Sequence, residues 1–272
     1  MRIALKLAYI GTDHHGFQVQ ANAKTIEGEL FRALRELNII NDPHEAKYIA
    51  AGRTDRAVHA LSQVVAFNTD KPNIAVPSAI NSRLQETTIW VWARAEVSPG
   101  FDPRRFAKYR EYMYIMFGKF DLSVMQEASN LLMGKHDFYN FAKNDIERRT
   151  ISTIKRINVH EAGEFTVIDI RADHFFWHMV RKIATALKMV GTGERDTSWF
   201  EKMLLPSEFG EGLQPAPAYG LIFKNVEYDN MTWKEDSYTK RRISETLDEM
   251  FFRHAVMSQL LREFKEGMKM ME

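Results

Sequence analysis

Apolar positions recur with two different periods along the chain, and the period predicts which segments are strands and which are helices. Alternating or continuously apolar segments of strand length are residues 2–10, 48–51, 63–70, 88–97, 110–117, 150–160, 165–172 and 220–228. Helical spacing appears over 25–37, where Thr25 is a plausible N-cap, and over 76–83, 121–133, 175–190 and 197–204. This alternation predicts an α+β fold with a mixed, largely antiparallel sheet and flanking helices.

The pattern repeats after the segment 98–103 (SPGFDP), which predicts two similar halves. We therefore expect an N-terminal α+β domain over residues 1–100 and a C-terminal α+β domain over 101–228. Residues 229–272 are mostly helical in pattern and mixed in charge, and we expect a helical extension there. An apolar stripe for packing or dimerisation is predicted within it by Phe251, Phe252, Val256, Leu260 and Phe264.

The composition is that of an ordinary globular protein. Of 272 residues, 45% are apolar and 27% are charged. The absence of cysteine excludes disulfides, thiolate metal sites and cysteine nucleophiles. No stretch approaches the roughly 20 apolar residues that a membrane span requires, and the first residues have no signal-peptide pattern. We therefore expect a cytoplasmic protein without a membrane partner.

The net charge of +1 conceals an uneven distribution. The window from Arg104 to Arg156 holds eleven basic and six acidic residues, so it carries a net charge of +5. Such a cluster favours contact with phosphate, although many charge clusters are only solvated faces. If the window binds RNA, charge reversal at Arg148 and Arg149 weakens binding and flattens its salt dependence.

The most distinctive segment is AAGRTDRAVHA, residues 50–60, which lies between two predicted strands. Arginines flank Asp55 there, and their charge favours an ionised carboxylate that can act as a nucleophile or base. A turn aspartate that caps its own backbone is the alternative interpretation.

This segment resembles the active-site signature of the TruA-type tRNA pseudouridine synthases, Gly-Arg-Thr-Asp-x-Gly-Val-His-Ala. Further segments resemble the same family in order along residues 2–228: AYIGTDHHGFQVQ (8–20), QVVAF (63–67), INSRL (80–84), FDPRRFAKYREYMY (101–114), GKHDFYNF (134–141), FFWHMVRKI (175–183) and APAYGLIFKNVEY (216–228). The chain departs from the family pattern at Ile10, Phe17, Ala57 and Gln85, where the family has Asp, Trp, Gly and commonly Pro.

The resemblance implies a role for five residues. Asp55 corresponds to the catalytic aspartate, and Tyr112 to the tyrosine that stacks on the target base. Arg181 corresponds to the basic residue that pairs with the aspartate. Arg53 is expected to help displace the target base from its stack, and Arg104 to lie near the site.

The spacing of residues in two predicted elements agrees with the roles that the resemblance implies. In the strand 110–117, Arg110, Tyr112 and Tyr114 share one face, which suits base stacking and phosphate contact. In the helix 175–190, His178 and Arg181 share a face with His174, just before it. A half-buried sheet tyrosine and a surface arginine are the alternatives on periodicity alone.

The resemblance implies a pseudouridine synthase fold and an isomerase that converts uridine to pseudouridine without a cofactor or metal. Its substrate would be tRNA at positions 38, 39 and/or 40 of the anticodon stem-loop, and the enzyme would be a homodimer in which one tRNA contacts both subunits. A non-catalytic RNA-binding protein on the same scaffold is one alternative. The triplet Asp13-His14-His15 also matches a motif of manganese phosphoesterases, and His174 with His178 could bind zinc.

Overall fold

The computed structural model describes residues 1–143 and 150–270. Ten strands lie in these ranges: β1 (Arg2–Tyr9), β2 (Ile49–Ala50), β3 (His59–Asn68), β4 (Ile89–Val97), β5 (Tyr109–Phe117), β6 (Gly134–Asp137), β7 (Ile151–Ala162), β8 (Phe165–Ala172), β9 (Leu221–Glu227) and β10 (Lys234–Glu235). Six α-helices accompany them: α1 (Ile26–Glu36), α2 (Pro77–Asn81), α3 (Leu122–Leu131), α4 (Met179–Gly191), α5 (Thr197–Lys202) and α6 (Ser237–Lys269). This is the α+β class that the periodicity predicts.

All ten strands form one mixed sheet. Nine follow the order β10-β4-β1-β3-β9-β5-β8-β7-β6, and β2 pairs with β3 outside this path. Every recorded strand pairing is antiparallel except that of β3 with β9. That parallel contact is short, joining His59 to Ile222 and Ala60 to Phe223, and it connects the two halves of the sheet.

Each half of the sheet carries its own hydrophobic core. Residues of β1, β3 and β4 pack with α1 in the first core. Residues of β7 and β8 pack with α3, α4 and α5 in the second. β9 contributes to both, because Phe223 lies in the first core and Leu221 in the second. The division into domains 1–100, 101–228 and 229–272 stays a prediction.

The beginning of α1 follows the predicted N-cap. Thr25 is extended, and its Oγ1 accepts a hydrogen bond from the backbone N–H of Gly28 at 3.2 Å. The helix then buries Ile26, Leu30 and Leu34 in the first core. No helix among residues 1–143 and 150–270 is long and apolar enough to cross a membrane.

The predicted helix over 175–190 was wrong at its N-terminus, because α4 begins only at Met179. The Asp173 carboxylate accepts hydrogen bonds from the backbone N–H groups of His174 at 2.7 Å and Thr153 at 3.0 Å. These bonds hold the preceding chain against β7 instead of allowing it to enter the helix. His178 then takes a left-handed conformation, with φ of 64°, at the helix N-cap. His174 therefore lies outside the helix.

Two smaller differences concern strands. β3 begins at His59, four residues before the predicted start, because Ala60 pairs with Tyr9 after an irregularity in the β1–β3 register. β6 has the sequence GKHD, which carries no alternating apolar pattern, and it is a strand only through its pairing with β7. Arg148 and Arg149 lie outside the described residues, so their predicted contact with RNA is untested.

Candidate active site

Asp55 lies in the loop between β2 and β3, and a second loop packs directly against it. The backbone N–H of Phe17 donates to the Thr54 carbonyl at 3.0 Å, and the N–H of Ala57 donates to the His14 carbonyl at 3.4 Å. A Cβ at Gly11 would lie only 2.0 Å from the Val58 carbonyl oxygen. Glycine is therefore required at position 11 for the two loops to approach so closely.

The loop that carries Asp55 is also held by the side chain of Thr54, the residue just before it. The Thr54 hydroxyl and the phenol of Tyr9, at the end of β1, are 2.8 Å apart and hydrogen-bonded in the core. Burial raises the pKa of Tyr9 far above its ordinary value, so the phenol keeps its proton. The loop that carries Asp55 is thus attached both to β1 and to the neighbouring loop, and its carboxylate is held in one place.

Three side chains from α4 and the two residues before it surround the Asp55 carboxylate. Arg181 Nη1 lies 3.1 Å from Asp55 Oδ2, and the indole Nε1 of Trp177 donates to Oδ1 at 2.9 Å. His178 Nε2 is 3.4 Å from Oδ2. Both carboxylate oxygens of Asp55 therefore face hydrogen-bonding groups of this segment.

Arg181 is itself held in position. Its Nε donates to the Ala216 carbonyl at 2.6 Å, and its side chain is only 13% exposed. The guanidinium thus bridges the segment before β9 and the Asp55 loop. Burial is the largest cause that lowers the pKa of His178, although the Asp55 carboxylate opposes it. The imidazole is therefore neutral near pH 7, and Arg181 supplies the positive charge beside the carboxylate.

Tyr112 lies on β5 beside this ion pair. Its ring packs edge-on against Phe175, with 4.9 Å between centroids, and at a tilt against Phe223, with 5.0 Å between centroids. Burial raises the pKa of Tyr112 to about 12, so the phenol is neutral at physiological pH. The flanking aromatic rings hold the tyrosine ring at one orientation.

These residues line a cleft of about 1540 Å³ between the two halves of the sheet. Its described lining contains five arginines but only two acids: Arg53, Arg56, Arg104, Arg110 and Arg181 against Glu27 and Asp55. Arg53 and Arg104 are exposed, whereas Arg110 donates to the backbone carbonyls of Ala51, Arg104 and Asp173. A concave surface with this excess of positive charge attracts a polyanion.

The structure therefore brings together all five residues that the sequence singled out. Asp55 and Arg181 are in direct contact, Tyr112 lies beside them, and Arg53 and Arg104 line the same cleft. The predicted common face of Arg110 and Tyr112 is also correct, since both side chains line the cleft. Tyr114 instead packs in the second core, where its hydroxyl donates to the Pro217 carbonyl.

Sequence reasoning missed Trp177 and Lys143. The ammonium of Lys143 lies 3.8 Å from the centroid of the Trp177 ring, and its backbone N–H donates to the Trp177 carbonyl at 2.9 Å. Only the position of Trp177 inside the segment 175–183 pointed towards the site. The helix predicted there gave no reason to aim its indole N–H at Asp55.

The structure does not bring together the histidines that could have bound manganese (His14) or zinc (His174 and His178). His14 is buried, and neither of its ring nitrogens has a hydrogen-bond partner among the described residues. His174 Nδ1 lies 3.0 Å from Asp173, whereas His178 faces Asp55. The described ranges contain no cluster of three or more His, Cys, Asp or Glu side chains arranged to bind a metal ion.

Comparison with known proteins assigns this fold and cleft to a family. A family model described as tRNA pseudouridine synthase matches residues 128–229. The tRNA pseudouridine synthase A of Methanosarcina acetivorans is 53% identical, and the alignment covers 97% of this chain and 98% of that protein. The protein of the same name from Archaeoglobus fulgidus is 37% identical over 98% of both chains.

Among solved structures, an archaeal box H/ACA sRNP Nop10–Cbf5 complex aligns with a TM-score of 0.33 and 13% identity. That alignment covers 67% of this chain and 43% of the Cbf5-complex chain. From the sequence relatives, the chain is an isomerase of the pseudouridine synthase class. It belongs to the tRNA pseudouridine synthase A family. Membership in this family replaces the phosphoesterase interpretation of Asp13-His14-His15.

Proposed function

We propose that this chain isomerises uridine to pseudouridine at positions 38, 39 and/or 40 of the tRNA anticodon stem-loop, with Asp55 as the catalytic carboxylate and without a cofactor. The observation that carries the proposal is the contact between Asp55 and Arg181 in an arginine-lined cleft, next to Tyr112. A carboxylate, a fixed positive charge and an aromatic ring are the groups that this reaction requires.

The reaction breaks the bond between C1′ of the ribose and N1 of uracil and forms a bond between C1′ and C5. The proton on C5 is lost and N1 gains a proton, so no redox step occurs. Asp55 acts on the sugar side, either by bonding to the ribose or by acting as a base towards it. In both cases the negative charge of the carboxylate is required, and the guanidinium of Arg181 lies beside it.

The two oxygens of Asp55 have different surroundings. Oδ2 faces the half-buried groups Arg181 and His178, whereas Oδ1 faces the indole of Trp177, which is 53% exposed. Oδ1 is therefore the oxygen that a nucleotide entering from the cleft reaches, because a carboxylate oxygen that accepts the Trp177 N–H keeps a second lone pair. We assign the reactive role to Oδ1.

The target base must leave the helical stack before it reaches Asp55, at a cost of a few kcal/mol. In the proposal, stacking on Tyr112 and insertion of Arg53 into the vacated space offset this cost. Base stacking on an aromatic ring contributes about 1–3 kcal/mol. Arg104, exposed on the cleft rim, contacts the phosphate backbone. The proposal also includes a homodimer in which one tRNA contacts both subunits, located in the cytoplasm where tRNA is modified.

The test is pseudouridine mapping in tRNA treated with the wild type and with Asp55→Asn. The amide keeps the size of the side chain but has neither the negative charge nor the nucleophilicity. We expect Asp55→Asn to bind tRNA with wild-type affinity and to form no pseudouridine. Product formation by this variant would show that Asp55 is not catalytic. If the wild-type protein itself binds tRNA but forms no pseudouridine, the chain is an RNA-binding protein instead of an enzyme.

A further inference from the structure

The long C-terminal helix α6 carries an apolar repeat that the catalytic fold does not use. Apolar residues recur at alternating intervals of four and three residues, the heptad pattern of helices that pair side by side. We call this row the heptad seam: Ile243, Leu247, Met250, His254, Met257, Leu261, Phe264 and Met268. His254 is its one polar member, a type of interruption that fixes register in paired helices.

The N-terminal part of the heptad seam lies near the body of the protein. Thr239 is buried, and its hydroxyl oxygen accepts a hydrogen bond from the Asn81 side chain at 3.1 Å. Ile243 and Met250 are partly covered. Beyond Met250 every described residue of α6 is exposed, including Leu261 at 64% and Phe264 at 71%.

Large apolar side chains rarely stay exposed in a continuous row on a monomer, and such a row marks a contact surface. A helix of 33 residues is about 50 Å long, and at this length an uncovered apolar side favours association with another helix.

The other described helices leave no apolar face for the seam. Helices α1 to α5 have at most 13 residues, and their apolar residues are buried in the two cores of the sheet. Near its C-terminal end α6 forms an ion pair between Arg262 and Glu164, which lies in the turn between β7 and β8. This ion pair holds the helix beside the body and leaves the seam uncovered.

We propose that the heptad seam is a dimer interface, covered by the α6 helix of a second copy of this chain. A repeat of a and d positions is complementary to itself, so two copies bury the same residues from both sides in a two-fold contact. The positions next to the seam carry no acid and only two bases, Arg253 and Lys265, so two copies approach without a row of like charges.

Other partners fit this surface less well. RNA requires a basic surface, and the seam is apolar. A helix that lies in an anionic membrane surface has a polar face rich in Lys and Arg, whereas the polar side of α6 also carries five acids: Glu245, Asp248, Glu249, Glu263 and Glu266. The apolar seam between mixed charges is typical of helix–helix pairing.

This dimer interface rests on the proposed function, because that proposal includes a homodimer. The experiment compares the full-length wild type with Leu261→Glu by analytical ultracentrifugation over a range of concentrations. We expect Leu261→Glu to raise the dimer dissociation constant by about 100-fold, because the symmetric contact carries the buried charge twice.

Phe252→Glu is the matched control. Phe252 is 65% exposed, close to the value for Leu261, but lies on the opposite side of α6. Of the apolar stripe predicted from the sequence, only Phe264 belongs to the heptad seam, and Phe252 does not. The same charge change there should leave the dimer intact. Circular dichroism of both variants verifies that α6 stays helical.

If the wild type is a dimer and Leu261→Glu has the same dissociation constant, the heptad seam is not the dimer interface, although the protein is a dimer. A monomeric wild type overturns both, as does binding of the seam to anionic vesicles in place of self-association. Pseudouridine formation by the wild type and its loss in Asp55→Asn are measured separately, so a failure of the interface is distinguishable from a failure of the proposed reaction.

Discussion

At the scale of single residues, the site depends on contacts that tie Asp55 to groups far away in sequence. Its partners Trp177, His178 and Arg181 belong to one turn of chain at the start of α4. The indole N–H of Trp177 donates to Asp55 Oδ1, and this hydrogen bond to a charged acceptor fixes the orientation of the carboxylate.

Trp177→Phe tests this contact. Phenylalanine keeps an aromatic ring below Lys143 but removes the N–H that faces Asp55. We expect kcat for tRNA modification to fall by about 10-fold while KM changes little, because charge-assisted hydrogen bonds contribute about 1.5–3 kcal/mol. Lys143→Met, which removes the cation but leaves the indole in place, is the control. An unchanged kcat in Trp177→Phe would mean that the N–H does not orient Asp55.

Ala57 shows a second effect at this scale. It has a φ of 63°, a left-handed conformation that glycine adopts without a steric cost. The family pattern has glycine at this position, so the chain carries strain two residues after Asp55.

Ala57→Gly should therefore stabilise the protein by about 0.5–1 kcal/mol, measured by chemical denaturation. Ala60→Gly is the control, the same substitution at a position with extended backbone. Ala60 is buried in the extended strand β3, and glycine there should destabilise the protein. Equal effects of both substitutions would contradict the role of φ at position 57.

At the scale of elements, sequence patterns predicted the strands and helices whose apolar face is buried by the fold itself. β1, α1, α2, β4 and β5 lie within about two residues of their predicted bounds. Patterns were insufficient where a tertiary hydrogen bond decides the boundary. The N-terminus of α4 depends on the Asp173 carboxylate, and β6 exists through its pairing with β7. Neither contact has a signal in the local sequence.

The same limit applies to the site. Asp55, Tyr112 and Arg181 were found because their sequence motifs resemble those of the family, and periodicity alone left each with an ordinary alternative. Trp177 and Lys143 were missed because their importance arises from a distance in space, which no spacing along the chain encodes.

The cap of α1 gives a prediction for an element. Thr25→Ala removes the hydroxyl oxygen that accepts from Gly28 N–H and leaves that donor near the protein interior. We expect a loss of about 1 kcal/mol in the free energy of unfolding, measured in denaturant. Thr25→Ser, which keeps the hydroxyl, should retain most of the stability. If the serine variant is as unstable as the alanine variant, packing of the methyl group is responsible instead of the cap.

At the scale of the whole molecule, the net charge of +1 is uninformative because the charges are separated. The cleft lining is rich in arginine, and the acids that offset this charge lie elsewhere in the chain. The local charge of the cleft, not the sum over the chain, determines how a polyanion approaches.

We therefore expect the double variant Arg53→Gln/Arg104→Gln to weaken tRNA binding and to reduce the magnitude of the slope of log K against log salt by about 1, because the phosphate contact of Arg104 is lost. Lys188→Gln/Lys202→Gln removes the same charge from exposed positions that do not line the cleft. An equal change of slope in both variants would mean that the effect is one of total charge.

The short parallel contact between β3 and β9 also has a consequence for synthesis of the chain. Asp55 precedes this contact by four residues, whereas Arg181 follows Asp55 by 126 positions and β9 follows later still. A ribosome therefore completes the N-terminal half, with its carboxylate, long before the guanidinium and the joining strand emerge. In the proposed mechanism the nascent chain therefore has no complete site until the last strand common to both halves has been added, and pseudouridine formation is expected to begin only when the body of the sheet is closed.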